Sequence, residues 1–114
     1  MELEQLQTLV IDALEDVKAN QLTSIDVRGK LDITDMMIIA SGTSDRHIQA
    51  LAENVVMSAK KSGATIVGVE KDQSWMLIDL YDVVVHIMLP ETREFYDLEK
   101  LWSFDGKTES LTVN

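Results

Sequence analysis

The sequence predicts an α/β fold in which one mixed five-stranded sheet packs against helices within a single domain. Two long segments repeat apolar residues at helical spacing, one at the N-terminus and one in the middle of the chain. Short apolar or alternating runs, of the length typical of β-strands, lie between and after them. The 114 residues leave room for one core, so we expect a domain over residues 1–103, followed by a loose polar tail over 104–114.

The first element is predicted to be an amphipathic helix over residues 2–19. Its apolar residues recur three and four positions apart, with Glu and Asp between them: Leu3, Leu6, Val10, Ala13, Leu14 and Val17. Residues 23–28 then alternate and are rich in β-branched side chains, which predicts the first strand.

Residues 36–40 are an unbroken apolar run, typical of a strand that is covered on both faces. Thr43 or Ser44 can cap the helix that follows. That helix carries a broad apolar stripe: Ile48, Leu51, Ala52, Val55, Val56 and Ala59. We expect the connection through it to be a right-handed parallel crossover.

The last third of the chain predicts three strands and a helix. Residues 64–69 read as a strand, 70–74 as a loop, and 75–80 and 83–88 as an antiparallel hairpin. Pro90 suits a helix start, and the helix is expected to fill residues 91–102. Its apolar residues have the spacing of a helix packed on a sheet: Phe95, Leu98, Leu101 and Trp102.

The predicted hairpin has two unlike faces if Tyr81 and Asp82 form a two-residue loop. One face is wholly apolar and should be core: Met76, Ile78, Leu80, Val83, Val85 and Ile87. The other mixes polar and apolar residues: Trp75, Leu77, Asp79, Val84, His86 and Met88. Tyr81 is a poor residue for the positive φ of a tight turn. A tryptophan opening a strand is often core, but the presence of Asp79 further along the same face favours an interface anchor.

The charge excludes some partners and favours others. With 20 acidic and 10 basic residues, the net charge of −10 would repel a phosphate backbone, whereas it suits a basic protein.

There is no cysteine, which excludes thiolate catalysis and cysteine-type zinc sites. No run approaches the ~20 apolar residues of a membrane span, and the N-terminus is acidic, unlike a secretory signal, so we expect a cytoplasmic protein.

The sequence also offers an enzymatic alternative. Gly42 to Ser44 lie at a strand-to-helix junction, where a phosphate could bind, and Asp79 with Asp82 could hold Mg²⁺ as in a nucleotidyltransferase. The three-residue spacing of the two aspartates, with a turn between them, argues against a shared metal. Neither His86 nor His47 has a second ligand in view, so we expect no metal site and no cofactor.

Three segments together resemble the ribosomal silencing factor family, also called Iojap-like. They are residues 33–44 (ITDMMIIASGTS), 75–86 (WMLIDLYDVVVH) and 90–102 (PETREFYDLEKLW), and the resemblance extends from about residue 5 to 103. The chain departs from the pattern at Tyr81, where the family commonly has glycine.

The resemblance implies a nucleotidyltransferase-like fold without enzymatic activity, often in a homodimer. It implies that the protein binds the large ribosomal subunit through its basic L-fourteen protein and blocks joining of the small subunit, which represses translation. The positions it carries over as partner-binding are Trp75, Leu77, Asp79 and Asp82, with Glu91 and Tyr96 from the third segment.

Overall fold

The computed structural model describes residues 1–28, 34–72, 74–96 and 108–111. Its elements in chain order are α1 (Leu3–Asp16), β1 (Asn20–Asp26), β2 (Met36–Ser41), α2 (Asp45–Lys61), β3 (Gly68–Asp72), β4 (Trp75–Asp79), β5 (Val83–Met88), α3 (Pro90–Tyr96) and β6 (Thr108–Leu111). The strands form one mixed sheet in the order β3-β4-β5-β2-β1-β6. The predicted α/β class and mixed sheet are confirmed, with six strands where five were predicted.

The centre of the sheet is the parallel pair of β2 and β5, and the other neighbours are antiparallel. Because β3 is antiparallel to β4 and β4 is antiparallel to β5, β3 runs in the same direction as β5. Since β5 is parallel to β2, β3 also runs in the same direction as β2. The connection through α2 is therefore a parallel crossover, as predicted, while its right hand stays a prediction.

Both long helices pack on one face of the sheet, which we call the helical face. Leu14 of α1 and Leu51 of α2 are fully buried there, against Ile38 of β2, Ile78 of β4 and Val85 of β5. Burying a side chain of this size stabilises the fold by about 1.5–3 kcal/mol. The predicted apolar stripes of both helices and the apolar side of the hairpin thus form the main core.

The opposite side of the sheet, which we call the second face, carries a smaller apolar cluster. Its members are Ile25, Val27, Met37, Ile39 and Met88. Trp75 is half-buried and packs against the border of this cluster.

The third strand lies later than predicted. It spans Gly68–Asp72, so the residues predicted as a loop from position 70 onward belong largely to the strand. As β3 is the terminal strand of the sheet, its side chains need not be apolar for its backbone to pair, and even Val69 of this strand is 45% exposed. The polar character of residues 70–72 therefore did not mark the end of β3.

The C-terminal part departs from prediction in one respect. Pro90 begins α3 as expected, but positions 97–102 of the predicted helix lie outside the described residues, as do the side chain of Phe95 and all of Leu98, Leu101 and Trp102. The expected loose tail is wrong for Thr108–Leu111, which pair with β1 as β6. Backbone hydrogen bonds join these strands, so a polar sequence can supply the pair. The boundary after residue 103 stays a prediction.

Candidate protein-docking surface

The hairpin has the predicted register, with Met76 opposite Ile87 and Ile78 opposite Val85. Its loop is the predicted pair Tyr81 and Asp82, and Tyr81 has φ 73°. This is the left-handed conformation that glycine adopts at least cost, and Tyr81 adopts it in spite of its bulky side chain. One carboxylate oxygen of Asp79 accepts the backbone N–H of Tyr81 at 2.9 Å, so Asp79 supports the turn.

The mixed side of the hairpin lies on the second face of the sheet. Trp75, Leu77 and Asp79 are all half-buried and follow one another along β4. At about 3.3 Å per residue, Trp75 and Asp79 are separated by roughly 13 Å. The structure thus places these three predicted residues on one face, with half-buried Asp82 in the turn beside Asp79.

The two residues of α3 that were predicted to bind the partner, Glu91 and Tyr96, belong to a helix that starts near the Trp75 end of β4. Glu91 is exposed in the first turn of α3. The hydroxyls of Thr92 and Ser74 are 2.6 Å apart, which ties this turn to the residue before Trp75. Tyr96 is the last residue of α3, and its side chain lies outside the described part of the chain.

Two acidic residues that sequence reasoning missed complete this surface. Glu70 lies opposite Leu77, and Asp72 lies opposite Trp75. Directly opposed residues of antiparallel strands share a face, so both exposed carboxylates flank the β4 side chains. A shallow depression is lined by these residues together with Lys71. We call the surface formed by Glu70, Asp72, Trp75, Leu77 and Asp79 the acidic edge. The spacing of two positions between Glu70 and Asp72 is the sequence feature that could have indicated that both side chains lie on one face of a strand.

Trp75 is joined to the neighbouring strand by a hydrogen bond. Its indole Nε1–H donates to Nδ1 of His86 at 3.1 Å, and the two rings are 5.7 Å apart and tilted by 50°. His86 is buried, and burial lowers its pKa from 6.5 to about 4. His86 therefore forms a hydrogen bond within the fold. In the described part of the chain, no cluster of His, Asp or Glu is arranged to hold a metal ion.

A buried arginine fastens α3 to the sheet. Arg93 is only 7% exposed, and its guanidinium donates to the hydroxyls of Ser41 at 3.0 Å and Thr23 at 2.9 Å. It also donates to the carbonyl of Gln21, a residue with φ 50° beside an irregularity in the pairing of β1. The acceptors come from β1 and β2, so one side chain connects three elements.

The loop of the enzymatic alternative is filled by its own hydrogen bonds. The backbone N–H of Thr43 donates to Nδ1 of His47 at 2.9 Å, and that of Gly42 donates to the carbonyl of Met88 at 3.1 Å. Ser44 caps α2 as predicted, accepting the N–H of His47 at 3.1 Å. Three backbone N–H groups at this junction, those of Gly42, Thr43 and His47, therefore already donate to partners within the protein and are not offered to a phosphate.

The aspartates of that alternative lie at the wrong end of the sheet. Gly42 follows Ser41, which is opposite Met88, whereas Asp82 precedes Val83, which is opposite Met36. Five residues of strand separate the two ends, or roughly 17 Å. The predicted Mg-nucleotide site at Gly42–Ser44 with Asp79 and Asp82 is therefore not assembled.

Close packing at Gly42 gives a prediction about stability. A Cβ atom at this position would lie 2.9 Å from Cγ1 of buried Ile48 and 3.1 Å from its backbone nitrogen. We expect Gly42→Ala to destabilise the fold by about 1–2 kcal/mol because α2 must shift. Thermal unfolding should show a lower Tm. The control is Gly68→Ala, where a Cβ meets nothing within 4 Å; equal melting of the two variants would contradict the prediction.

Among the described residues, no helix combines the length and apolar character that crossing a bilayer requires.

The family model described as "Ribosomal silencing factor during starvation" matches residues 1–113. The chain is 42% identical over 115 residues to "Ribosomal silencing factor RsfS" of Chromobacterium violaceum, covering 99% of this chain and 93% of that protein.

A crystal structure of a Chromobacterium violaceum protein matches with a TM-score of 0.87 and 41% identity, covering 90% of this chain and 88% of that one. The mouse protein "Mitochondrial assembly of ribosomal large subunit protein 1" is 37% identical over 113 residues, 92% of this chain and 50% of its own length. The family match spans almost the whole sequence, and the fold agrees with it. This chain belongs to the ribosomal silencing factor family.

Proposed function

We propose that the protein is a non-enzymatic, cytoplasmic repressor of translation that binds the large ribosomal subunit through the subunit's basic L-fourteen protein. The observation that carries this proposal is the acidic edge, where a half-buried tryptophan is flanked by exposed carboxylates. An aromatic anchor within a charged rim is the usual composition of a protein-binding surface.

The charges of the acidic edge suit a basic partner. Glu70 and Asp72 are exposed on β3, and Asp79 lies on the same face of β4. Carboxylates on the rim of an interface raise the association rate with a basic surface, and they disfavour direct contact with RNA phosphates. The acidic edge therefore favours a basic protein that is framed by RNA over the RNA itself.

The proposed mechanism is steric. A protein seated on the joint surface of the large subunit excludes the small subunit without forming or breaking a covalent bond. Inhibition should then follow the occupied fraction of large subunits. The mouse relative, whose name refers to assembly of the large ribosomal subunit, supports the choice of subunit.

We also infer a homodimer, which the family resemblance implies. Sedimentation velocity of the free protein over a range of concentrations measures this directly. A species of 12.8 kDa at all concentrations would contradict the dimer and leave the docking proposal intact.

Co-sedimentation tests the proposed partner. We expect the protein to pellet with isolated large subunits and not with small ones, because the proposed target belongs to the large subunit alone. The variant Glu70→Lys/Asp72→Lys should bind more weakly, whereas Glu4→Lys/Asp12→Lys on the exposed side of α1 should bind as the unchanged chain does. Both variants change the net charge equally, so the pair separates a local surface from overall charge. Equal recovery with both subunits would contradict the proposal.

Trp75→Ala is expected to weaken large-subunit binding by about 2 kcal/mol, or roughly thirtyfold, because an aromatic anchor dominates such interfaces. Since the side chain is only half-buried, the loss of folding stability should stay below the about 3–5 kcal/mol of a full core truncation. Met57→Ala, at an exposed apolar residue of α2, is the control for binding. A Trp75 variant that unfolds early yet binds normally when folded would show that Trp75 belongs to the core and is not an anchor.

A further inference from the structure

The indole of Trp75 is held in place before any partner arrives. One side of it packs against the apolar cluster of the second face, and its N–H donates to His86 at 3.1 Å. The residue just before it is tied to α3 through the 2.6 Å contact of the Ser74 and Thr92 hydroxyls. An exposed tryptophan side chain normally samples several rotamers, and these contacts favour one of them.

The strand register brings His86 to this position. Trp75 lies opposite Met88, and His86 lies opposite Leu77, so the indole and the imidazole are diagonal neighbours on the same face. His86 is 7% exposed, too little for it to make a large contact with a partner itself. Any effect of His86 on docking must therefore act through Trp75, whose indole it holds.

The direction of the hydrogen bond specifies the state of His86. An indole N–H can only donate, so Nδ1 of His86 must carry no proton and the ring proton must be on Nε2. The same bond engages the only polar atom of the indole. What Trp75 can offer a partner is consequently its ring face and its carbon edge.

We propose that His86 is a positioning residue that fixes the indole of Trp75 for docking, so that the partner meets it with an apolar or cationic side chain and not with a hydrogen-bond acceptor. This inference rests on the proposed function. Immobilising a side chain during association lowers affinity, and a side chain that is already fixed avoids that cost. Removal of one hydrogen bond of this kind corresponds to a roughly threefold to tenfold loss of affinity.

The first test uses the free protein. The indole N–H of Trp75, assigned in proton NMR spectra with Trp75→Phe, should exchange with solvent at least about tenfold faster in His86→Leu than in the unchanged chain. In His86→Asn, the amide oxygen can take the place of Nδ1, and slow exchange should be restored. Equal exchange rates in all three proteins would overturn the proposal.

The second test measures the affinity of the same proteins for isolated large subunits. We expect His86→Leu to weaken binding threefold to tenfold and His86→Asn to stay within about twofold. In a Trp75→Phe background, His86→Leu should cause no further loss, because the bond it removes is already absent. A loss of equal size in both backgrounds, or no loss in either, would overturn the proposal. Thermal unfolding of each variant identifies any loss that comes from unfolding.

The two tests also separate this inference from the function on which it depends. If the unchanged chain does not bind large subunits, the proposed function is overturned, and with it the use of His86 in docking. If Trp75→Ala weakens binding and His86→Leu does not, the docking surface stands and the positioning role is overturned.

Discussion

Arg93→Met is expected to lower the free energy of unfolding by about 3 kcal/mol or more. The guanidinium is buried and donates to Gln21, Ser41 and Thr23, which are 72, 52 and 70 positions away along the chain. A hydrogen bond from a charged donor contributes about 1.5–3 kcal/mol, and methionine leaves these acceptors without their donor. Removing a buried charge returns part of its desolvation cost, which is why the total should fall short of three such bonds.

Urea unfolding at neutral pH measures this change. Arg46→Met, at an exposed position of α2, applies the same chemical change where no burial is involved and should alter stability by less than about 0.5 kcal/mol. Equal midpoints for the two variants would show that the contacts of Arg93 contribute little to stability. Because Arg93 fastens α3 to the sheet, we also expect faster amide exchange in α3 of Arg93→Met.

The second large effect is a dependence of stability on pH through His86. Burial lowers its pKa from 6.5 to about 4 in the folded protein, so the unfolded chain binds more protons between these two values. The contribution of His86 to stability is therefore complete above pH 6.5 and is lost as the pH falls toward 4. Between pH 7.5 and pH 4.5 this loss should amount to about 2–3 kcal/mol.

The measurement compares the unchanged chain with His86→Asn by urea unfolding at both pH values. Asparagine does not titrate, and its amide oxygen can still accept the N–H of Trp75. Contributions of the 20 acidic residues are common to both proteins and cancel in the difference. If both proteins lose the same stability on acidification, His86 does not titrate in the way its burial indicates.

The core and the hairpin could be predicted from the sequence because their signals are local. Period-two alternation placed Met76 and Ile78 opposite Ile87 and Val85, and the structure has this register. Helical spacing likewise identified the buried faces of α1 and α2. In each case the buried side chains are apolar and their positions follow from the geometry of one element.

The contacts that pattern could not predict join residues far apart in the sequence. Arg93 resembles an ordinary exposed helix residue until β1 and β2 supply its three acceptors. The strand β6 is polar, and only its pairing with β1 identifies it. The same holds for the bond between Trp75 and His86, since register makes them neighbours but the side-chain rotamers decide whether they meet.

The candidate site was predicted in part. Trp75, Leu77 and Asp79 were placed on one face by alternation, and they lie on one face. Glu70 and Asp72 were missed because the polar run over residues 70–74 was interpreted as a loop. Their place in β3 depends on the outer position of that strand, where paired backbone and solvated side chains occur together.

The pairing of β1 with β6 has a consequence for biosynthesis. Leu22 lies opposite Leu111, so the outermost strand on that side is translated long after the strand on which it docks. While the chain is being made, the outer backbone groups of β1 have no partner from β6 and could pair with another nascent chain. Contacts over such sequence distances also slow folding. The sheet can be completed only after synthesis has passed residue 111, so β1 has to wait for its outer partner until the other strands of the sheet have all been made.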